Sequence, residues 1–216
     1  WSAPSKPEPA YILRTMGDRI VLGVPGIWKD RSEIIRAIAT ANGTGKTPAY
    51  VAAGPVIMDL ASKKGFGFEV YDREPTLAEA FRRAGQGRLS PDLLEAVDRH
   101  TFTVYLVSEE RDPAAARSLL RMAAFLLDAG GLAVKVESAG VAHAPDKWRY
   151  LAGSPSTLSL YAAFVVLVGG EDYCYSCGMH AFGLPDASIT SKVPLKEAAE
   201  VLSSFNHRQL LDATPR

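Results

Sequence analysis

Cysteine is scarce in this chain. Cys174 and Cys177 are the only two in 216 residues, too few for a disulfide framework, and their close spacing favours a reduced compartment or a local site over structural stapling. An excess of charge of either sign is also lacking. Basic and acidic residues number 24 each, the formal net charge is zero, and the basic residues gather no further than pairs such as Lys63-Lys64 and Arg82-Arg83. Without a positive field, neither nucleic acid nor an anionic membrane is expected as a partner. Long apolar runs are missing too: the longest, LYAAFVVLVGG at 160–170, falls well short of the roughly 20 residues that cross a bilayer.

What is present suits an ordinary globular protein, 47% hydrophobic and 22% charged, with the cytoplasm as its expected location. The length allows one large domain or two fused smaller ones. The chain opens at Trp1 rather than Met, as a trimmed or processed protein does, which leaves a removed signal peptide open. Residues 1–10 carry three prolines and few apolar anchors and read as a flexible arm. Residues 11–107 and 108–216 read as two α+β halves packed as one compact unit.

The local signals are mostly punctuation. RIVLGV ends at Pro25-Gly26 and reads as a strand; Asp30 to Glu33 spells a capping box that opens a helix ended by Asn42-Gly43. AYVAAGPVIMDL and FGFEVYDR read as extended, Thr76 with Glu79 as a second capping box before a short helix closed by Gly85, and Ser90-Pro91 as the start of another. TFTVYLV is a strand. The clearest helix runs from Asp112-Pro113 to about Asp128, with Leu119, Met122, Ala123 and Leu126 at helical spacing and Gly130-Gly131 as its stop. LAVKVES, YAAFVVLV and YCYSCGMHAF read as strands, AGVAHAPDKWRYLAGSPST as a polar loop, and Pro194 to about Phe205 as a last helix. This order predicts an α+β fold, with mixed or antiparallel sheets, helices on one face and two fused ferredoxin-like halves as the suggested arrangement. A doubly wound sheet is the alternative.

Few residues carry a chemical suggestion. In an extended YCYSCGMHAF the two cysteines point to opposite faces, and Cys174 and His180 stand some 20 Å apart, so Cys174, Cys177 and His180 converge on a metal only if the chain turns tightly near Gly178. No metal and no cofactor is expected. NGTGKTP at 42–48 lacks the first glycine of a phosphate loop and follows a helix instead of a strand. VESAG at 136–140 lacks the first glycine of a nucleophile elbow. His100 and His207 have sufficient structural roles at helix ends. No residue is assigned a catalytic role outright. The candidates are His143 and His180 as acid/base, with Asp186 or Glu137 to orient them, and Trp148 and Tyr173 as binding residues.

GMHAFGLPDASI at 178–189 resembles the C-terminal signature of an uncharacterised, mainly bacterial family, domain of unknown function 4261: glycine, a large apolar residue, two variable positions, then Phe-Gly-x-Pro and an acidic residue. Gly178, Met179, Phe182, Gly183, Pro185 and Asp186 match it. The resemblance covers the last third of the chain. It implies a bacterial intracellular protein and brings no reaction, cofactor or catalytic residue. The same residues also read as a turn, with Phe182 as its anchor and Asp186 as acceptor of nearby amides.

Two functions stand as expectations. The first is a non-enzymatic protein-binding module of regulatory or immunity type, motivated by the failure of every familiar catalytic motif. The second is a hydrolase or transferase with a His/acid site between the halves.

Overall fold

A computed structural model describes residues 19–43, 49–170, 173–190 and 194–214; the arm at 1–10 and most of NGTGKTP lie outside them. Seven strands, β1 (Ile20–Gly26), β2 (Tyr50–Ala53), β3 (Val56–Asp59), β4 (Lys64–Asp72), β5 (Phe102–Ser108), β6 (Val134–Val136) and β7 (Val141–His143), form one sheet in the order β2-β3-β4-β5-β1-β6-β7. Every pairing is antiparallel. The fold is α+β, as the sequence predicts.

At the centre, β1 is buried at all seven positions, which explains why IVLGV, after Arg19, is continuously apolar instead of alternating: both faces are covered. Leu22 sits opposite Leu106 on one side and Val136 on the other. These side chains share a face with Ile20, Val24, Val104 and Val134, and meet α1 (Arg31–Ala41) through Ile34 and Ile38 and α4 (Pro113–Asp128) through Leu119, Met122, Ala123 and Leu126. Both helices start on a real cap, with the Asp30 carboxylate accepting from Glu33 N at 2.8 Å and that of Asp112 from Ala115 N at 2.7 Å.

Between them, β1-α1-β4-β5-α4-β6 trace one β-α-β-β-α-β unit. The hairpin β2–β3 lengthens one edge, β7 lengthens the other, and α2 (Leu77–Gly85) and α3 (Pro91–Asp98) are inserted between β4 and β5. Two ferredoxin-like halves are therefore not confirmed. A single such unit straddles residues 107 and 108 instead, because β1 pairs with both β5 and β6. The inserted helices cover the opposite side of β6 and β7, where Leu77, Phe81 and Val97 bury Ala133 and Ala142.

Beyond α4 lies a further layer. Here the structure corrects the sequence reading: AGVAHAPDKWRYLAGSPST contains β7 and the helix α5 (Pro145–Gly153), and Tyr161 to Phe164 of YAAFVVLV end a helix, α6 (Thr157–Phe164), whose cap is Ser156. Only β8 (Val166–Gly169) of that run is strand; it pairs with β9 (Tyr173–Cys177), which pairs with β10 (Ser188–Thr190). The last helix, α7 (Leu195–Ala213), is longer than expected and covers one face of this small sheet, with Ala198 and Leu202 against Cys174. The capping box at Thr76 does not form either: its hydroxyl donates to Glu74, and Glu79 pairs with Arg82 and Arg83. Among the described residues no helix is long and apolar enough to cross a membrane.

Candidate functional site

The opening of the small sheet holds the residues that looked most like chemistry. Strand β9 alternates as expected, with Cys174 and Ser176 buried under α7 and Tyr173 and Tyr175 exposed on the other side. The strand ends at Cys177, earlier than YCYSCGMHAF suggests. Gly178 takes φ +125°, where a Cβ would overlap the Phe164 carbonyl oxygen. A 3-10 turn, Met179–Phe182, follows and buries Met179 and Phe182.

Asp186 organises this turn. Its Oδ1 accepts from Met179 N at 3.0 Å and from Ser176 Oγ at 3.3 Å, while its Oδ2 lies 3.5 Å from His180 Nδ1. Burial pushes the Asp186 carboxyl up, but His180 and the amides of Met179 and Gly178 outweigh it and hold the group below its ordinary range. His180 and Asp186 are thus brought together. They do not form a Ser-His-Asp relay: the aspartate stands between the serine and the histidine, and Ser176 Oγ accepts from Ala187 N at 2.9 Å in a buried position. His180 Nε2, the atom a general base would use, is buried without a hydrogen-bond partner. Both cysteines are free thiols on opposite faces of β9, and burial, then the Asp186 charge, push the Cys177 thiol up, away from a reactive thiolate. Among the described residues no three His, Cys, Asp or Glu side chains are grouped to hold a metal ion.

His143 and Trp148 meet elsewhere, in the core beside α4. His143, at the end of β7, approaches Ala163 O at 3.0 Å through Nε2 and packs its ring 5.4 Å from that of Trp148. Trp148 is fully buried, donates Nε1–H to Leu120 O at 2.9 Å, and meets Phe164 edge-on. Burial, opposed in part by the hydrogen bond, brings the His143 pKa down to about 4. A neutral, donating imidazole inside an aromatic cluster is a packing residue with its polar atom satisfied. His100 is similar: its Nδ1 meets Val97 O at 2.6 Å and its Nε2 accepts from Glu74 N.

Glu137 occupies the other side of the sheet. In the β6–β7 register His143 opposes Val134 and therefore shares the α4 face, whereas Lys135 opposes Ala142 on the reverse face, to which Glu137 also belongs. Glu137 pairs with Lys135, both side chains nearly buried at 11% and 14% exposure. It leans over Gly23, where a Cβ would stand 2.8 Å from its Oε1 and 3.1 Å from the Tyr105 ring, and that Oε1 has no hydrogen-bond partner. Burial and then the Glu137 charge push the Tyr105 phenol far up. Its neighbour Tyr71 meets it edge-on and donates to Glu69 Oε2 at 2.8 Å; burial and that bond push Tyr71 up to about 12. This charged and aromatic patch was not singled out from sequence, although TFTVYLV and FEVYDR alternate in a way that puts Tyr105, Glu69 and Tyr71 on one face.

A cleft of about 460 Å³ opens over Gly65 and Gly67; Arg19 and Lys64 in its lining pair with Glu109 and Glu110, and none of the candidate residues lines it. Tyr173 remains as a surface residue. Its ring stacks on that of Tyr175, centroids 6.0 Å apart and planes 26° from parallel. Compared with known proteins, the chain matches no family model, no curated protein and no solved structure.

Proposed function

We propose that this protein is a non-enzymatic protein-binding module, regulatory or immunity-type in role, that engages a folded protein partner through the outer face of its small sheet. One observation carries the reading: Tyr173 and Tyr175, 49% and 38% exposed, are stacked side by side on the face that α7 leaves uncovered. Register puts Thr190 beside Tyr173 and Ser188 beside Tyr175 on one side, with Val168 beside Tyr175 on the other, giving an aromatic centre with a hydroxyl-bearing edge. Tyrosine contributes large contact area at low entropic cost, and aromatic anchors inside a polar rim are where binding energy concentrates.

The enzymatic reading has less support. Its histidines and acids do not converge: His143 and Glu137 lie on opposite faces of the large sheet, and the one His/acid pair that forms, His180 with Asp186, secures a turn. The resemblance of 178–189 to domain of unknown function 4261 favours neither reading; it contributes only the expectation of a bacterial intracellular setting.

The test is capture under mild crosslinking from native lysate, run with the wild type and with Tyr173→Ser/Tyr175→Ser. A protein recovered with the wild type and reduced about tenfold or more with the double variant supports the reading, since loss of two aromatic anchors costs at least about 1.4 kcal/mol. Equal recovery with both, or no specific partner, refutes it.

A further inference from the structure

Helix α7 buries only a narrow stripe, Ala198, Leu202, Asn206 and Leu210, at intervals of four. A second stripe beside it faces solvent: Glu197, Val201, Phe205, Arg208 and Asp212, with Val201 59% and Phe205 51% exposed. At 100° per residue these five positions lie within an arc of about 80°. Two large apolar side chains one turn apart, with an acid one turn before them and a base just under one turn after, is an uncommon pattern for a helix face meant for water.

The order of charges selects a partner. A second helix of the same sequence laid parallel would set Glu197 against Glu197 and Arg208 against Arg208. Laid antiparallel, with a two-fold axis near residue 203, it packs Val201 of one copy on Phe205 of the other and brings Glu197 of each alongside Arg208 of the other, whose exposed pair with Asp212 of its own helix leaves guanidinium donors for a second carboxylate. The zero net charge of the chain puts no long-range repulsion between copies. We propose that the Val201/Phe205 stripe of α7 is a self-association surface, forming an isologous two-fold dimer through antiparallel α7 helices. One helix pair buries less than the roughly 1,200 Å² of a standard interface, so the dimer is weak and concentration-dependent. The surface lies on α7, whereas the tyrosines project from the opposite face of the small sheet, so the inference stands independently of the proposed function.

Sedimentation equilibrium of the full chain tests it. The wild type is expected to show a monomer–dimer equilibrium in the micromolar range, which Val201→Glu or Phe205→Glu weakens by about a hundredfold. Because each substitution occurs twice in a two-fold dimer, Glu197→Arg and Arg208→Glu are each expected to weaken it roughly tenfold. The double exchange Glu197→Arg/Arg208→Glu restores it. All these side chains are exposed and the one ion pair lost, Arg208–Asp212, is a surface i,i+4 pair of small weight, so the variants stay folded with melting temperatures close to the wild type, and Tyr173→Ser/Tyr175→Ser leaves the dimer intact. A monomer at every concentration, a dimer indifferent to both Val201→Glu and Phe205→Glu, or a charge exchange that fails to restore association would overturn the proposal.

Discussion

His143 ties stability to pH. The folded protein keeps its imidazole neutral with a pKa of about 4, whereas the unfolded chain has the ordinary 6.5. Below about pH 6.5 the unfolded state therefore gains a proton that the folded state refuses. The contribution is complete above that pH and declines until about pH 4, where the folded form protonates as well. At about 1.4 kcal/mol per unit this amounts to roughly 3 kcal/mol. His100, whose pKa burial also lowers, acts in the same direction. Urea denaturation between pH 7 and pH 4 is expected to show the decline, and His143→Gln to show a clearly shallower one. The Lys135–Glu137 pair makes a second prediction at this scale. Removing one partner leaves a nearly buried charge alone, so Lys135→Met is expected to cost about 3 kcal/mol, whereas Lys135→Met/Glu137→Leu stays within about 1 kcal/mol of wild type. In the single variants Glu137→Gln should also lower the Tyr105 pKa, read by ultraviolet titration, because the carboxylate is one of the groups holding it up.

Elements with strong local punctuation were legible in the sequence. Asp112-Pro113 and Gly130 bracket α4 because cap, proline and left-handed glycine each act on their own neighbours. The Phe-Gly-x-Pro-Asp turn was legible for the same reason, and Asp186 accepts from the Met179 amide as expected. The region from 139 to 169 was not. LSLYAAF is apolar on every side, and a short unbroken apolar run has no period to separate a buried helix from a strand; its helical state depends on being enclosed by α4, α5 and α7. Gly178 offers the sharpest test of an element. Alanine there must adopt φ near +125° and displace the Phe164 carbonyl, which is expected to cost about 3 kcal/mol or more. Cys177→Ala, removing one half-buried thiol from the adjacent position, is expected to cost about 1 kcal/mol. Comparable losses in the two variants' denaturation midpoints would mean that the turn is not built as described.

At the scale of the molecule, the decisive contacts are remote in sequence. Insertion of β1 between β5 and β6 joins segments about 80 and 110 residues apart, and no local pattern announces it. That insertion is what makes one β-α-β-β-α-β unit where two halves were expected. The register of the β6–β7 hairpin, by contrast a local pairing, sends His143 and Glu137, six residues apart in sequence, to opposite faces of the sheet, so their proximity along the chain was not proximity in chemistry. The stacked pair on β9 stays exposed at the surface. The most direct test of its role is site-specific photocrosslinking in the native host, with a benzophenone side chain at position 175 or, as a control, in place of Tyr150, which is more exposed at 69%. A discrete covalent adduct from position 175 and none from position 150 is the predicted result. Adducts of equal yield from both positions, or from position 150 alone, would contradict the assignment of the small sheet as the binding surface.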